Sequence, residues 1–372
     1  MNDATPPATS APSPTSKFPE LGFYGLPGHT RSPRDLLRQV QDAEALGIGN
    51  VMLSERADYK EISAISGACA AVTEKLFIGT SGTNLNTRHP VITASMCSTL
   101  SRLSEGRFSL GLAKGPSLRW KALNLPIPTF EREREFLDVL RRLLRGESVT
   151  GHDGALGTIP AMSLAPYVDE DVPLLYVGFG PKSLAHAGRI YDGAHLHTFM
   201  TDAALAASVE RFRSGEAAAG RTVGAGLLWS VFATVCDPSE EDYLRRIVGR
   251  LATYLQIPGY GDMLVEVNGW DPEDLERFRR SDAVTSVGGL IDSVASPAQL
   301  AAVEREIPEH WRPAAVGDAE TCARAWVAQF EAGADGLIIH ASTPEEFEPV
   351  LREYERIRPA ERFEGRTNRP GA

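Results

Sequence analysis

The sequence predicts an α/β protein built as a (β/α)8 TIM barrel, and three observations lead to that fold. Eight short apolar runs alternate with helical patterns along the chain, and such alternation is typical of a parallel sheet. Eight repeats are the number that closes such a sheet into a barrel. The 372 residues exceed the roughly 250 of a typical barrel. We therefore predict a barrel with insertions, the largest between strands 7 and 8.

The predicted strands are apolar runs bounded by glycine, proline or polar residues. They cover residues 21–24, 50–53, 76–80, 108–112, 174–177, 194–196, 228–235 and 336–339. The predicted helices cover residues 33–46, 62–72, 91–103, 132–144, 183–191, 203–219 and 344–356. A longer helical region separates strands 7 and 8. Each of the first six strands is thus followed by one helical segment, which is the repeating unit of the barrel.

Two intervals are longer than the loops of such a barrel. Residues 145–173, with scattered Gly and Pro, are predicted to form an irregular or hairpin excursion. Residues 237–313 contain at least three helical patterns, and we predict an inserted subdomain that caps the barrel mouth or joins a partner. The barrel domain is expected over residues 18–358. A disordered leader is predicted over 1–17 and a flexible tail over 359–372.

Composition excludes several classes of protein. The formal net charge of -11 argues against non-specific binding to nucleic acid or to an anionic membrane. No run approaches the roughly 18 consecutive apolar residues of a membrane span. The four cysteines lie far apart without a CxxC pair, so we expect reduced thiols and a cytoplasmic location.

Residues 76–115 form one β-loop-α-β unit whose strands both end in small residues. Ser81, Gly82 and Thr83 follow strand 3, and Lys114 and Gly115 follow strand 4. The carboxyl ends of barrel strands are where ligands bind. Small residues allow a flat ligand to approach the backbone closely. We predict a ligand site at these two strand ends.

The turn after strand 5 has the composition of an anion site. It consists of Gly178, Phe179, Gly180, Pro181, Lys182 and Ser183. A glycine-rich turn can direct several N–H groups to one point, and the positive end of the following helix favours a phosphate. A Rossmann fingerprint is the competing interpretation, although Ser183 occupies its third glycine position. A merely structural tight turn also stays open.

Charged and titratable residues at other strand ends leave alternatives open. Glu55 and Arg56 follow strand 2 directly and would project into the barrel mouth, either in a functional role or as a structural pair of Glu55 with Arg56 or Arg88. His340 ends strand 8 and either lines the pocket or is a satisfied structural residue. His89 is expected to pack or to cap helix 3.

His195 and His197 share one face of strand 6. That spacing permits metal binding, but no third ligand with telling spacing accompanies them. No metal site is predicted.

Three segments together resemble one family. The pattern GTSGTNLNTRHP…TLSRLSEGRFSLGLAKG, VMLSER at strand 2 and VGFGPKSLAHAGRIYDG at strand 5 resemble the luciferase-like superfamily, especially its branch that uses the deazaflavin coenzyme F420. The resemblance covers residues 20 to about 357. It implies a tricyclic ring seated at the strand ends, backed by a non-prolyl cis peptide that maps to Ser81–Gly82. Relatives are commonly dimeric, so a homodimer is expected.

The resemblance also assigns roles. Residues 81–83 would form the back wall of the ring, residues 178–183 would receive the phosphate, and Ser54 would lie beside the cofactor. Glu55 and Arg56 replace an acidic residue and a histidine of sugar-phosphate dehydrogenase relatives. Pro116 stands where those enzymes carry a catalytic Glu, so glucose-6-phosphate oxidation is not expected.

We therefore expect a reductase or dehydrogenase acting on an unidentified small, hydrophobic organic molecule. Glu55 or Arg56 would assist proton movement or polarise the acceptor. Two alternatives remain: an FMN-dependent monooxygenase and a non-catalytic F420-binding or carrier protein. A phosphosugar aldolase would need a Schiff-base lysine, and only Lys114 lies near a strand end.

Overall fold

The computed structural model describes residues 13–28, 30, 32–56 and 59–371. Most of the predicted leader, residues 1–12, lies outside the described residues. The strands, in chain order, are β1 Phe18–Tyr24, β2 Ile48–Leu53, β3 Phe77–Thr80, β4 Phe108–Leu112, β5 Val149–Gly154, β6 Gly157–Met162, β7 Leu174–Val177, β8 Gly193–His195, β9 Leu227–Cys236, β10 Ala315–Gly317 and β11 Gly336–His340.

Helices connect these strands. They are α1 Asp35–Ala45, α2 Ile62–Val72, α3 Pro90–Leu103, α4 Ser117–Ala122, α5 Phe130–Leu144, α6 Pro181–Ile190, α7 Asp202–Ala218, α8 Glu240–Tyr243, α9 Gly249–Gln256, α10 Tyr260–Asn268, α11 Pro272–Arg280, α12 Asp282–Thr285, α13 Ile291–Val294, α14 Pro297–Glu304, α15 Ala319–Glu331 and α16 Pro344–Ile357. A π-helical turn at Leu244–Val248 joins α8 to α9. Within the described part of the chain, no helix has the length and apolar character needed to cross a bilayer.

Eight parallel strands close the barrel, which confirms the predicted fold. Their order is β1-β2-β3-β4-β7-β8-β9-β11, and β11 pairs with β1 to complete the circle. Each of the eight predicted strands is one of these. β10 adds a short strand against the end of β9. β5 and β6 form an antiparallel hairpin outside the barrel. Of the two alternatives predicted for residues 145–173, an irregular excursion or a hairpin, the hairpin is confirmed.

Side chains of alternating strand positions fill the barrel interior. Met52, Trp229, Val231 and Ile338 pack together there, whereas the larger apolar cluster lies between strands and helices. Small residues bring β3 and β4 unusually close. A Cβ at Gly111 would lie 2.1 Å from the carbonyl oxygen of Thr80. Only glycine fits at that position.

The histidine before α3 acts as a helix cap. His89 Nδ1 accepts a hydrogen bond of 3.4 Å from the amide of Val91, and Pro90 occupies the first turn. Proline is favoured there because its missing N–H would have no intrahelical partner. The capping role expected for His89 is confirmed.

Helices α8 to α14 occupy the chain between β9 and β10. Trp270, between α10 and α11, stacks on Trp311, which follows α14, with ring centroids 4.8 Å apart and planes 8° from parallel. The amide of Thr201 donates to Asn268 Oδ1 at 2.8 Å, which ties α10 to the barrel. We call residues 240–304 the insertion. Its α9 and α10 reach the C-terminal end of the barrel.

The C-terminal segment packs against the opposite end of the barrel, although the sequence predicts a loose polar tail there. Trp229 Nε1 donates to the carbonyl of Pro370 at 2.9 Å. The fully buried Asn368 donates to the carbonyl of Lys75 at 2.9 Å and accepts from the amide of Ser16. Polar side chains here serve backbone groups at the strand starts. Composition alone does not reveal such specific partners.

Candidate active site

A cavity of about 450 Å³ lies at the carboxyl ends of the barrel strands. Its walls come from the ends of the barrel strands and from α9 and α10 of the insertion. Nine of the predicted site residues line it: Ser54, Arg56, Ser81, Lys114, Gly115, Gly178, Phe179, Gly180 and Ser183. Five others, Glu55, Gly82, Thr83, Pro181 and Lys182, lie beside it without lining it. The ends of β3 and β7 therefore share one cavity, as the sequence predicts.

The end of β3 carries a cis peptide between Ser81 and Gly82, which confirms the prediction. Ser81 faces the cavity, and its hydroxyl lies 2.6 Å from the hydroxyl of Tyr24. Gly82 faces the neighbouring strands instead. A Cβ there would lie 3.0 Å from Val177 and 3.1 Å from the carbonyl oxygen of Gly111. Ser81 thus presents a polar group to a ligand, while Gly82 permits close strand packing.

Glu55 takes part in an ion pair. Arg88 donates to its carboxylate at 2.5 Å, and Thr83 Oγ1 donates to the other oxygen at 2.6 Å. Both charged side chains are mostly buried, with 13% exposure for Glu55 and 15% for Arg88. The hydrogen bond to Glu55 raises the pKa of the Arg88 guanidinium. The predicted alternative of a Glu55–Arg88 pair is confirmed, and this carboxylate is engaged in holding β2 to β3.

Arg56 remains on the cavity side. Its backbone forms an antiparallel bridge with Lys60, and its guanidinium approaches the carbonyl of Gly28 at 3.5 Å. Lys60 is almost completely buried and donates to the carbonyl of Leu26 at 2.6 Å. Arg56 and Lys60, both between β2 and α2, therefore bring two cationic side chains to the cavity.

The turn after β7 leads into α6, whose first turn lies at the cavity wall. Gly180 is the N-cap and provides no side-chain cap for the first amides of the helix. Those amides have no intrahelical acceptor and carry the positive end of the helix dipole. Pro181 lies in the first turn, and Lys182 is exposed to solvent. This wall can accept an anion through backbone N–H groups.

The insertion supplies a wall of the cavity, which confirms the predicted alternative that residues 237–313 cap the barrel mouth, although the sequence does not identify the residues that do so. Tyr260 donates its hydroxyl to His197 Nε2 at 2.6 Å, and His197 Nδ1 lies 2.7 Å from the carbonyl of Thr198. The ring therefore carries its proton on Nδ1. Burial lowers the pKa of His197 to about 3, so it is neutral. Phe179 packs on this ring at a centroid distance of 4.6 Å.

Arg250 and Tyr254 complete that wall from α9. The guanidinium of Arg250 lies 4.7 Å from the ring centroid of Tyr254 and donates to Asp292 at 2.7 Å. Tyr254 stacks on Tyr260 at 5.3 Å. Arg250 and Tyr254 are one helical turn apart in the sequence. That spacing predicts that they share a face of the helix, but not which surface the face covers. The sequence predicts that this region caps the barrel mouth or joins a partner, but it does not single out these two residues.

Charge is distributed unevenly around the cavity. Four cationic side chains line it, Arg56, Lys60, Lys114 and Arg250. Among the lining residues that the structure describes there is no Asp or Glu. The cavity is thus suited to a ligand with a flat apolar part and an anionic part.

The fold and the cavity define a (β/α)8-barrel protein with a cavity at its strand ends. The chain belongs to the luciferase-like monooxygenase family, whose model matches residues 17–336. The resemblance predicted from the three sequence segments is confirmed.

Relatives with assigned names are similar over parts of the chain. The F420-dependent glucose-6-phosphate dehydrogenase of Beutenbergia cavernae is 33% identical over 175 residues, which is 44% of this chain. The chain spans about half of that enzyme, 52% of its length. The 5,10-methylenetetrahydromethanopterin reductase of Methanolobus tindarius is 26% identical over 69% of this chain and 78% of its own length.

Solved structures share the fold over almost the whole chain. The coenzyme F420-dependent tetrahydromethanopterin reductase from Methanopyrus kandleri superposes with a TM-score of 0.73 at 19% identity, covering 92% of this chain and 99% of its own. An F420-dependent secondary alcohol dehydrogenase, solved with an F420-acetone adduct, gives a TM-score of 0.67 at 18% identity and covers 93% and 99%. Both support the barrel assignment.

Proposed function

We propose that this protein is an F420-dependent oxidoreductase that transfers a hydride between the deazaflavin and a small organic substrate. Relatives named as F420-dependent enzymes support the choice of coenzyme. The observation that carries the proposal is that Ser81 at the end of β3 and Gly180 at the start of α6 line the same cavity. A planar ring and its phosphate need those two features within one continuous space.

The residues present fit the coenzyme. A cavity of about 450 Å³ lies in the range of small-molecule sites, which starts near 300 Å³. Ser81 and the adjoining backbone would hold the ring, and the first amides of α6 would hold the phosphate. Lys114, which lines the cavity between them, would add a positive charge. When bound, the deazaflavin supplies a carbon that donates or accepts a hydride.

The chain's own side chains then position and shield the reactants. Tyr24 fixes the Ser81 hydroxyl through the 2.6 Å contact. Phe179, Tyr254 and Tyr260 cover part of the cavity with aromatic surface, which limits the access of water to the reacting groups. Arg56 places a positive charge where negative charge on a substrate would develop. Glu55 has no part in this step because Arg88 and Thr83 occupy its carboxylate.

Glucose 6-phosphate is not proposed as the substrate. Pro116 lines the cavity where sugar-phosphate dehydrogenase relatives carry a glutamate. A proline can neither donate nor accept a proton there. The substrate class must come from other groups in the cavity.

Fluorescence titration of the purified protein with F420 and, separately, with FMN tests the coenzyme. We expect saturable binding of F420 and none of FMN. Tight FMN binding without F420 binding would replace the proposal with an FMN-dependent monooxygenase. Binding of F420 without turnover of any compound in a broad panel would instead indicate a non-catalytic carrier.

A homodimer and a cytoplasmic location belong to the same proposal. Exposed apolar side chains on α3, Ile92 at 57% and Leu103 at 59%, support a contact between copies. The four unpaired cysteines support a reducing compartment. Sedimentation equilibrium of the purified protein would measure the mass, and a monomer at micromolar concentration would contradict the dimer.

A further inference from the structure

His340 ends β11 at the cavity, and no described residue forms a hydrogen bond with its ring. Its Nδ1 atom is inaccessible to solvent and has no partner. Nε2 also has no hydrogen-bond partner among the described residues but is not enclosed as Nδ1 is, and His340 lines the cavity, so Nε2 is the nitrogen that a ligand can reach. Buried N–H groups without an acceptor are rarer than buried acceptors without a donor, so the proton of the neutral ring is assigned to Nε2. The cavity therefore receives an N–H donor from His340.

The backbone next to His340 holds this orientation. Ala341 adopts a φ of +76°, a left-handed conformation that alanine rarely takes. Ser342 Oγ donates to the carbonyl of Thr234 at 2.5 Å and ties the turn to β9. Unfavourable backbone conformations of this kind are concentrated at functional sites.

Two other histidines near the same strand ends provide a comparison. His197 lines the cavity, but both of its nitrogens have protein partners. His195 has two buried nitrogens without partners, but it does not line the cavity. An unpartnered nitrogen alone thus marks no site. Of these three histidines, only His340 has both a nitrogen without a partner and access to the cavity.

The surroundings of His340 keep it neutral. Burial, together with the positive charges of Arg250, Arg56 and Lys60 and the nearby His197, holds its pKa well below the ordinary value. The ring meets Tyr24 edge-on at a centroid distance of 5.6 Å. Tyr24 in turn contacts Ser81, the residue that would back the coenzyme ring. His340 is therefore two contacts away from the proposed ring position.

We propose that His340 contacts the substrate and that the substrate is a carbonyl compound or the corresponding alcohol. This inference rests on the proposed function. In the reducing direction the carbonyl carbon receives the hydride of the reduced coenzyme, the C=O π bond breaks, and its electron pair moves to oxygen. Nε2–H of His340 donates a hydrogen bond to that oxygen, as a neutral imidazole can do. A proton from solvent water then completes the hydroxyl group, and His340 keeps its own proton.

Variants of the three histidines test this role. His340→Leu removes a buried nitrogen that has no partner, so we expect a higher Tm, an unchanged dissociation constant for F420 and a kcat lower by about 10²-fold on the carbonyl substrate. His340→Gln, which restores an N–H donor, should recover part of kcat. His195→Leu should also raise the Tm but leave kcat unchanged.

The assay uses reduced F420 with a panel of aliphatic and aromatic ketones and aldehydes. A lower Tm for His340→Leu would make His340 structural and overturn the inference, as would an unchanged kcat. Wild-type protein that binds F420 but reduces no carbonyl compound would overturn the substrate class. Wild-type protein that binds no F420 would refute the proposed function instead, and the Tm measurements would still decide whether His340 is structural.

Discussion

Two walls of the cavity differ in how far their polar groups are engaged inside the protein. At the ends of β2 and β3, Glu55, Thr83 and Arg88 bond to one another. On the wall formed by β11 and the insertion, the ring of His340 and the hydroxyl of Tyr254 have no hydrogen-bond partner among the described residues. The first wall uses its polar chemistry to fix a shape, and the second retains chemistry for a ligand. Substitution of a group bonded within the protein, as on the first wall and at His197 on the second, should therefore affect stability, whereas substitution of an unbonded group such as His340 should affect turnover.

The largest stability effect is expected for Arg88→Ala on the first wall. It leaves the carboxylate of Glu55, only 13% exposed, without its counter-ion, and breaking a largely buried pair costs about 3 kcal/mol. Urea unfolding followed by circular dichroism measures the change. Arg38→Ala is the matched control, because Arg38 and Glu345 are 73% and 72% exposed in their pair and the variant should lose less than about 1 kcal/mol. Equal losses would refute the argument that burial makes the Glu55–Arg88 pair stabilising.

Acid should weaken the second wall through His197. Its pKa is lowered by burial from 6.5 to about 3, so below pH 6.5 the unfolded chain binds a proton that the folded protein does not. The contribution of neutral His197 to the free energy of unfolding is complete above pH 6.5 and is lost as the pH falls towards 3, at about 1.4 kcal/mol per pH unit. His197→Gln should show a shallower dependence of the unfolding free energy between pH 6 and 4. Identical slopes for both proteins would contradict the burial argument.

Tyr260→Phe should cost about 1 kcal/mol of stability, because it leaves His197 Nε2 without its donor. Tyr254→Phe is the matched control from the neighbouring helix. The Tyr254 hydroxyl has no hydrogen-bond partner among the described residues, so its removal should change the unfolding free energy little. Thermal unfolding of the two variants compares them directly. A larger loss for Tyr254→Phe would show that its hydroxyl, not that of Tyr260, joins the insertion to the barrel.

Much of the barrel side of the cavity could be predicted from sequence because its signals are local. The small residues after β3 and β4 and the glycine turn after β7 are contiguous in the chain, and each places a residue at the cavity. The pair of Glu55 with Arg88 joins residues 33 positions apart, so the sequence could offer it only as one alternative. Tyr260 meets His197 across 63 positions. A helical pattern shows that one face is buried, but it does not identify the surface that covers it.

The smallest effect is expected for Lys182→Ala at the phosphate end of the cavity, where Lys114 and Lys182 differ in their exposure to solvent. Lys114 lines the cavity, whereas Lys182 is exposed in the first turn of α6 and does not. An exposed charge acts through solvent and is screened over about 10 Å at 0.1 M salt. Lys182→Ala should therefore weaken F420 binding by about twofold at low salt and not at all at high salt. Lys114→Ala should weaken F420 binding about tenfold and retain most of that loss in salt, because a charge in a cavity is less screened.

Fluorescence titrations at two salt concentrations compare the variants. If Lys182→Ala had the larger effect, the anion would lie outside the cavity, on the solvent side of α6, and the ring and phosphate would not share the space that the proposed function requires.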